Sequence, residues 1–172
     1  MPTPTEIGNA VMSAIYAFRE AYGYGHVDPV LIFAQAYHET GDFSSPLCQD
    51  YRNCFGMKMP RTRPNTATGE TPSGYASYDS YADGVIDYFL RQANFHIPDT
   101  SNATEYVDAT LDSGYAEDPD YRRKWLAIYG EMKAGPTPVP DGGEVVAEAS
   151  FPWPLAILAA LAMAGTLTKD GR

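Results

Sequence analysis

The chain has 172 residues, 44% of them hydrophobic, enough for one domain with a real core plus an appendage. A formal net charge of −10 argues against a nucleic-acid partner, because the phosphates would repel such a chain. The two cysteines, Cys48 and Cys54, fit no zinc pattern at CxxxxxC spacing; they are close enough to form a small disulfide loop where the compartment is oxidising.

Thr3 and Glu6 make a capping box around Pro4, and Ile7, Val11, Ile15, Phe18 and Tyr22 follow at helical spacing. The first helix is therefore expected to run until Gly23 and Gly25 end it. Asp28-Pro29 opens a second helix by the same logic, through LIFAQAYHET to Gly41. This helix is apolar nearly all round, so it belongs in the interior, with Glu39 in its last turn. From 41 to 77 prolines at 46, 60, 64 and 72 and glycines at 56, 69 and 74 break the pattern. Loops are expected there, with a short hairpin pairing 55–59 with 75–78.

Ser80 and Asp83 cap a third long helix carrying Val85, Ile86, Phe89 and Leu90. A shorter helix covers about 103–111 and stops at Gly114. Asp118-Pro119 opens the last, with Tyr121, Trp125, Ile128 and Tyr129 on one side, and the domain is expected to finish near Lys133. Residues 134–150, AGPTPVPDGGEVVAEAS, carry acids but no base and read as a linker. The next 17 residues, FPWPLAILAALAMAGTL, have no charge. They are at the lower edge of what spans a bilayer, and the run 151–168 is read as a transmembrane helix, with an amphipathic or buried C-terminal helix as the other reading. The first residues lack a basic region and an apolar run, so no secretory signal is expected.

Two features bear on chemistry. The segment between Asp50 and Glu70 has no acid but carries Arg52, Lys58, Arg61 and Arg63. It is either a face for an anionic polymer or a solvated basic loop. Thirteen tyrosines, two tryptophans and seven phenylalanines suit a sugar-binding cleft, although such side chains also build cores. Glu39 is a carboxyl at the end of a buried helix flanked by aromatics. Desolvation and the negative end of the helix dipole both raise its pKa, as a glycosidase acid requires; the alternative is a glutamate that merely ends a helix in solvent. A zincin reading of His38-Glu39 fails, because position 42 is Asp and Gly41 ends the helix.

The stretch AQAYHETG (34–41) resembles the AQAxxESG helix-end signature of the glucosaminidase family, the flagellar and autolysin type of endo-β-N-acetylglucosaminidase. NCFGMK (53–58) is similar to that family's N-L-F-G-x-K block. YASYDSYADGVIDYFLRQ (75–92) resembles its F-x-x-Y-x-S-x-x-x-S-x-x-D-Y-x-x-x-L segment, and SGYAEDPDYRRKW (113–125) its A-G-Y-A-T-D-P-x-Y-x-x-K block. Four blocks occur in the same order. The departures are Thr40 in place of serine, Cys54 in place of leucine, and Gly84 where a small polar residue is usual.

The resemblance implies an α+β, mostly α fold, a lysozyme-like, two-lobed domain with a small β-hairpin lobe; the domain is placed at 1–133, and the linker and apolar C-terminal helix read from composition follow it. It implies general acid catalysis by Glu39 on the glycan of the bacterial cell wall at N-acetylglucosamine, with neither metal nor cofactor. Glu70, the only acid between Asp50 and Asp79, is the candidate for activating water; otherwise it is a turn glutamate. Tyr115 maps to the family's functional tyrosine; otherwise it is a packed one. Asn53, Phe55, Lys58 and Tyr78 are the candidate substrate-binding residues. Asn53 is structural or saccharide-binding, and Phe55 is expected to pack beneath the cleft. The rival functions are a lytic transglycosylase on the same fold and a catalytically silent structural or wall-binding protein of a virion membrane. The expected location is a membrane, that of a phage virion or of the host cell envelope.

Overall fold

In a computed structural model of the chain, residues 1–135 are described. The linker beyond them and the apolar segment 151–168 lie outside the described residues. Six helices and one two-stranded sheet follow in the order α1 (Pro4–Phe18), α2 (Pro29–Thr40), α3 (Pro46–Tyr51), β1 (Gly69–Glu70), β2 (Ala76–Ser77), α4 (Tyr81–Asn94), α5 (Ala103–Asp112) and α6 (Tyr121–Ala134).

The Thr3–Glu6 capping box closes the start of α1, and Asp28 caps α2 through the Val30 N–H. α1 stops at Phe18, short of the expected glycines. There the Tyr24 N–H donates to the Arg19 carbonyl at 2.7 Å, and Gly23 turns the chain at φ 83°. Tyr22 still reaches the core from that turn, stacking 6.2 Å from Phe89. Ile7, Val11 and Ile15 of α1 pack with Leu31 and Ile32 of α2, Phe89 of α4 and Trp125 of α6. Burying such a side chain contributes about 1.5–3 kcal/mol. Trp125 adds a fixed register, its indole N–H donating to the Leu31 carbonyl at 2.7 Å.

A polar layer crosses this core. The Tyr88 hydroxyl donates to Gln35 at 2.7 Å, and the Gln92 amide donates to the Tyr106 and Thr110 hydroxyls at 3.0 and 2.9 Å. All five side chains are buried, and each has a partner, so the layer specifies one arrangement of α2, α4 and α5.

The small lobe differs from expectation in two ways. Ser45-Pro46 is a cap followed by proline, and it starts the short helix α3 inside what reads as loop. The hairpin pairs β2 with Gly69–Glu70, and residues 57–59 lie along the other edge of 74–76. The Ala76 N–H donates to the Met57 carbonyl and the Met59 N–H to the Gly74 carbonyl, both at 2.9 Å. The expected partners 55–59 and 75–78 thus meet in part, through an isolated bridge between Lys58 and Tyr75.

Cys48 and Cys54 form a disulfide that ties α3 to the loop after it. Asp87 of α4 anchors the lobe to the helices. It accepts both Arg63 guanidinium nitrogens, at 2.6 and 3.0 Å, and the Tyr78 hydroxyl at 2.6 Å. Gly84 has to be glycine, because a Cβ there would lie 2.7 Å from the Arg52 carbonyl oxygen. Among the described residues no helix is long and apolar enough to cross a membrane.

Candidate active site

Gly41 sits in the left-handed region and ends α2, leaving Glu39 in the last turn. Thr40 locks that end. Its hydroxyl donates to the Ala36 carbonyl at 2.7 Å and accepts the Phe43 N–H at 2.8 Å, which explains why threonine serves there. Glu39 faces a cleft of about 780 Å³ between the helices and the small lobe. The Tyr121 hydroxyl of α6 donates to Glu39 Oε1. Burial pushes the Glu39 carboxyl above its ordinary value, and the Tyr121 hydrogen bond opposes this only in part. The His38 ring packs 4.9 Å edge-on against Tyr121 and steadies it.

The 53–58 loop closes over the acid. Gly56 holds φ 61°, and a Cβ there would lie 2.9 Å from Glu39 Oε2. Only glycine lets the backbone come that close while adopting that conformation. Asn53 fixes the loop. Its amide donates to the Met57 and Ala76 carbonyls, both at 2.8 Å, and its oxygen accepts the Met57 N–H at 2.9 Å. Cys54 replaces the usual leucine by bonding to Cys48. Tyr115 extends from the segment before α6, donating its hydroxyl to the Phe55 carbonyl. Its ring lies 6.2 Å from that of Tyr121, and burial together with the nearby Glu39 charge keeps its phenol neutral.

The candidate residues divide accordingly. Glu39, Lys58 and Tyr115 line the cleft. Asn53, Phe55, Tyr78 and Glu70 are not among the residues that line it. Asn53 is buried with its amide spent on backbone, so it shapes the wall rather than meeting a sugar. Phe55 packs beneath, its ring centre 4.3 Å from that of Tyr88. Tyr78 is buried against Asp87. Glu70 sits exposed on β1 and pairs with Arg61 at 2.6 Å.

Asp118 belongs to a turn before α6. It accepts the Asp120 N–H at 2.9 Å and pairs with Lys124 at 2.6 Å, so the cap position itself falls to Asp120. Arg91, Phe95 and Glu117 reach the cleft through packing between distant segments, which no local pattern signals, whereas Gly56 is the glycine of the NCFGMK block. Among the described residues no three His, Cys, Asp or Glu side chains are grouped to hold a metal.

This arrangement places one desolvated carboxyl against an open, partly aromatic groove, with a hydroxyl on its other side. It can deliver a proton to an ether oxygen in the groove.

Comparison with known proteins fits that chemistry. The family profile described as mannosyl-glycoprotein endo-beta-N-acetylglucosaminidase matches residues 15–134, over two thirds of the chain. Among curated proteins no relative matches. Among solved structures, a peptidoglycan hydrolase from Sphingomonas sp. A1 is similar at 19% identity and TM-score 0.58, with 97% of this chain and 98% of that one covered. A C-terminally truncated glycoside hydrolase domain of FlgJ from Salmonella typhimurium is similar at 24% identity and TM-score 0.56, covering 78% of this chain and all of that one. The catalytic domain of the autolysin Auto from Listeria monocytogenes aligns at 16% identity and TM-score 0.57, over 77% and 86% of the two chains. These likenesses show that the fold is the lysozyme-like one the resemblance implied. With the profile running from the last turn of α1 through α6, the chain belongs to the glucosaminidase family of glycoside hydrolases.

Proposed function

We propose that the protein is a peptidoglycan hydrolase that cuts the glycan strand at N-acetylglucosamine, with Glu39 as the general acid. The observation that carries this reading is the desolvated Glu39 carboxyl facing the cleft, held by Tyr121 and closed over by Gly56. A carboxyl whose pKa is raised keeps its proton until the glycosidic oxygen arrives and then stabilises the departing sugar by protonating it. The phenol of Tyr115 lies on the same wall; its proton goes to the Phe55 carbonyl, which leaves its oxygen to accept from the acetamido N–H or to face the charge that develops on the ring. Solved structures of similar fold include two described as peptidoglycan hydrolase and autolysin, which supports the choice of substrate.

In the hydrolytic course, Glu70 activates water on the opposite face of the sugar. A second reading, a lytic transglycosylase, is favoured by the place of Glu70 outside the cleft lining and in an ion pair with Arg61. That reaction closes an anhydro ring within the substrate and needs no water-activating base. Mass spectrometry of digested peptidoglycan after borohydride reduction separates the two. Reduced N-acetylglucosamine ends are expected; reduced N-acetylmuramic acid ends would mean a muramidase, and anhydro-muramic ends a transglycosylase.

The domain is assigned to 1–133, the linker to 134–150, and a membrane anchor to 151–168, in a virion or host envelope. Seventeen consecutive uncharged residues support the anchor, as does the basic Arg172 beyond them. The full chain is expected to require detergent; a full chain that stays monomeric in plain buffer would refute the anchor.

A further inference from the structure

Two arginines of the cleft are almost wholly buried, and they are treated differently. Arg63, with its side chain 9% exposed, is paired with Asp87 through both terminal nitrogens. Arg91 of α4 is 7% exposed and has no carboxylate partner among the described residues. Asp87 lies one helical turn before Arg91, where an ion pair would ordinarily form, yet Asp87 is given to Arg63 and Tyr78. Arg91 instead donates to the neutral oxygens of Gln92 and Ser113, both at 2.8 Å. A guanidinium carries five N–H donors, and the remainder have no acceptor among the described residues. Its carbon lies 4.6 Å from the ring centres of both Phe95 and Tyr115.

A buried cation without a counter-charge is costly, and burial lowers the Arg91 pKa. Retaining such a group makes physical sense where a ligand supplies the missing charge. Arg91 lines the same cleft as Glu39, on the wall that Tyr115 and Phe95 complete. Lys58 and Arg63 also line the cleft, as do Glu117 and Asp118; Arg63 is neutralised by Asp87 and Asp118 pairs with Lys124, whereas Arg91 has no carboxylate partner among the described residues. The geometry of a planar fork fixed by Gln92 and Ser113 and flanked by aromatic rings matches a carboxylate.

We infer that Arg91 is a carboxylate-binding subsite, which recognises an acidic substituent of the glycan beside the bond being cut. This rests on the reading of the substrate as peptidoglycan, whose muramic acid residues carry either a free lactyl carboxylate or a peptide stem bearing carboxylates further out. Arg91 is a specificity residue: it holds the strand in register while Glu39 acts on the glycosidic oxygen.

The test measures binding without turnover, in the full chain carrying Glu39→Gln. Three tetrasaccharides of alternating N-acetylglucosamine and N-acetylmuramic acid serve as probes: one with free lactyl carboxylates, one with those groups converted to neutral methylamides, and one with peptide stems. The charged probes are expected to bind about tenfold tighter than the neutral one, the strength of one well-placed charged hydrogen-bonded pair. The probe that gains names the source, lactyl group or stem. With Arg91→Met added, the ratio is expected to fall to about one, and Arg91→Lys to restore part of it. A lost side-chain prop would weaken all three probes alike and leave the ratio unchanged. Equal affinity of the Arg91 protein for charged and neutral probes would overturn the inference, whether or not Arg91→Met folds; so would a preference that survives in Arg91→Met. Failure of the unsubstituted chain to release glycan from cell wall would count against the hydrolase reading, and it is measured separately from this ratio.

Discussion

The two sides of the cleft are built by different means. The helical side, α2 and α6, holds Glu39 by regular structure: a proline-started, glycine-ended helix with seven consecutive buried residues from Val30 to Ala36 and a tyrosine from a neighbouring helix. The opposite side, residues 53–78, has only two-residue strands and keeps its shape through side chains: Asn53 on three backbone groups, Cys48 bonded to Cys54, and Arg63 and Tyr78 on Asp87. One side supplies a dry carboxyl in a fixed position. The other supplies glycine-level proximity at Gly56 and exposed charge at Lys58 and Glu70. Substitutions on the helical side should therefore change chemistry and leave the fold intact, and those on the loop side should change stability or the water-dependent step.

Glu39→Gln is the sharpest case. The amide keeps the shape and accepts from Tyr121, but it cannot donate a proton to a leaving oxygen, so clearing of purified cell wall should fall by about 1,000-fold. Its melting temperature should stay at or slightly above that of the unsubstituted chain. The sign follows from the raised pKa: ionising a buried carboxyl costs stability as pH rises from the unfolded pKa through the folded one, and the amide removes that cost. A melting point several degrees lower would mean that the acid is structural.

On the loop side, Asn53→Ala strips three buried hydrogen bonds and should cost about 3 kcal/mol in chemical denaturation. A loss under about 1 kcal/mol would show that the loop holds without it.

Much of the helical side was legible in the sequence. Caps and prolines at Thr3, Asp28 and Ser80 act locally, so they mark helix starts whatever surrounds them, and the apolar run of α2 foretold its burial. Glu39 was legible because its environment is made by its own helix. The loop side was not, since the pairing of Gly69–Glu70 with β2 sits among contacts that Asn53 and Asp87 make to residues distant in the chain, which no local pattern marks. Arg91 reads as an ordinary charge late in an amphipathic helix; its burial depends on Ser113, Phe95 and Tyr115, which no local pattern links to it. α3 was missed although Ser45-Pro46 carries the same signature as the other starts, because the surrounding prolines and glycines outweighed it.

Glu70→Gln sharpens the comparison at its weakest joint. Its pair with the exposed Arg61 should contribute under about 1 kcal/mol, so stability should hardly change. The hydrolytic course predicts that the rate falls by about 100-fold, as for loss of a general base. An unchanged rate would move the reaction to intramolecular closure.

A smaller effect is expected at Tyr121. Tyr121→Phe removes the hydrogen bond that favours ionised Glu39, so the Glu39 pKa should rise further. The alkaline limb of the pH–rate profile should then move to higher pH. A downward shift would reverse the assigned role of the tyrosine.

The most direct measurement is a carbon-13 NMR titration of the Glu39 carboxyl, assigned by the signal that disappears in Glu39→Gln. If burial makes Glu39 the protonated acid of the cleft, that signal titrates clearly above the ordinary glutamate value of 4.5. A midpoint at or below it would mean a solvated carboxylate, contradicting the assignment of Glu39 as the group that protonates the glycosidic oxygen.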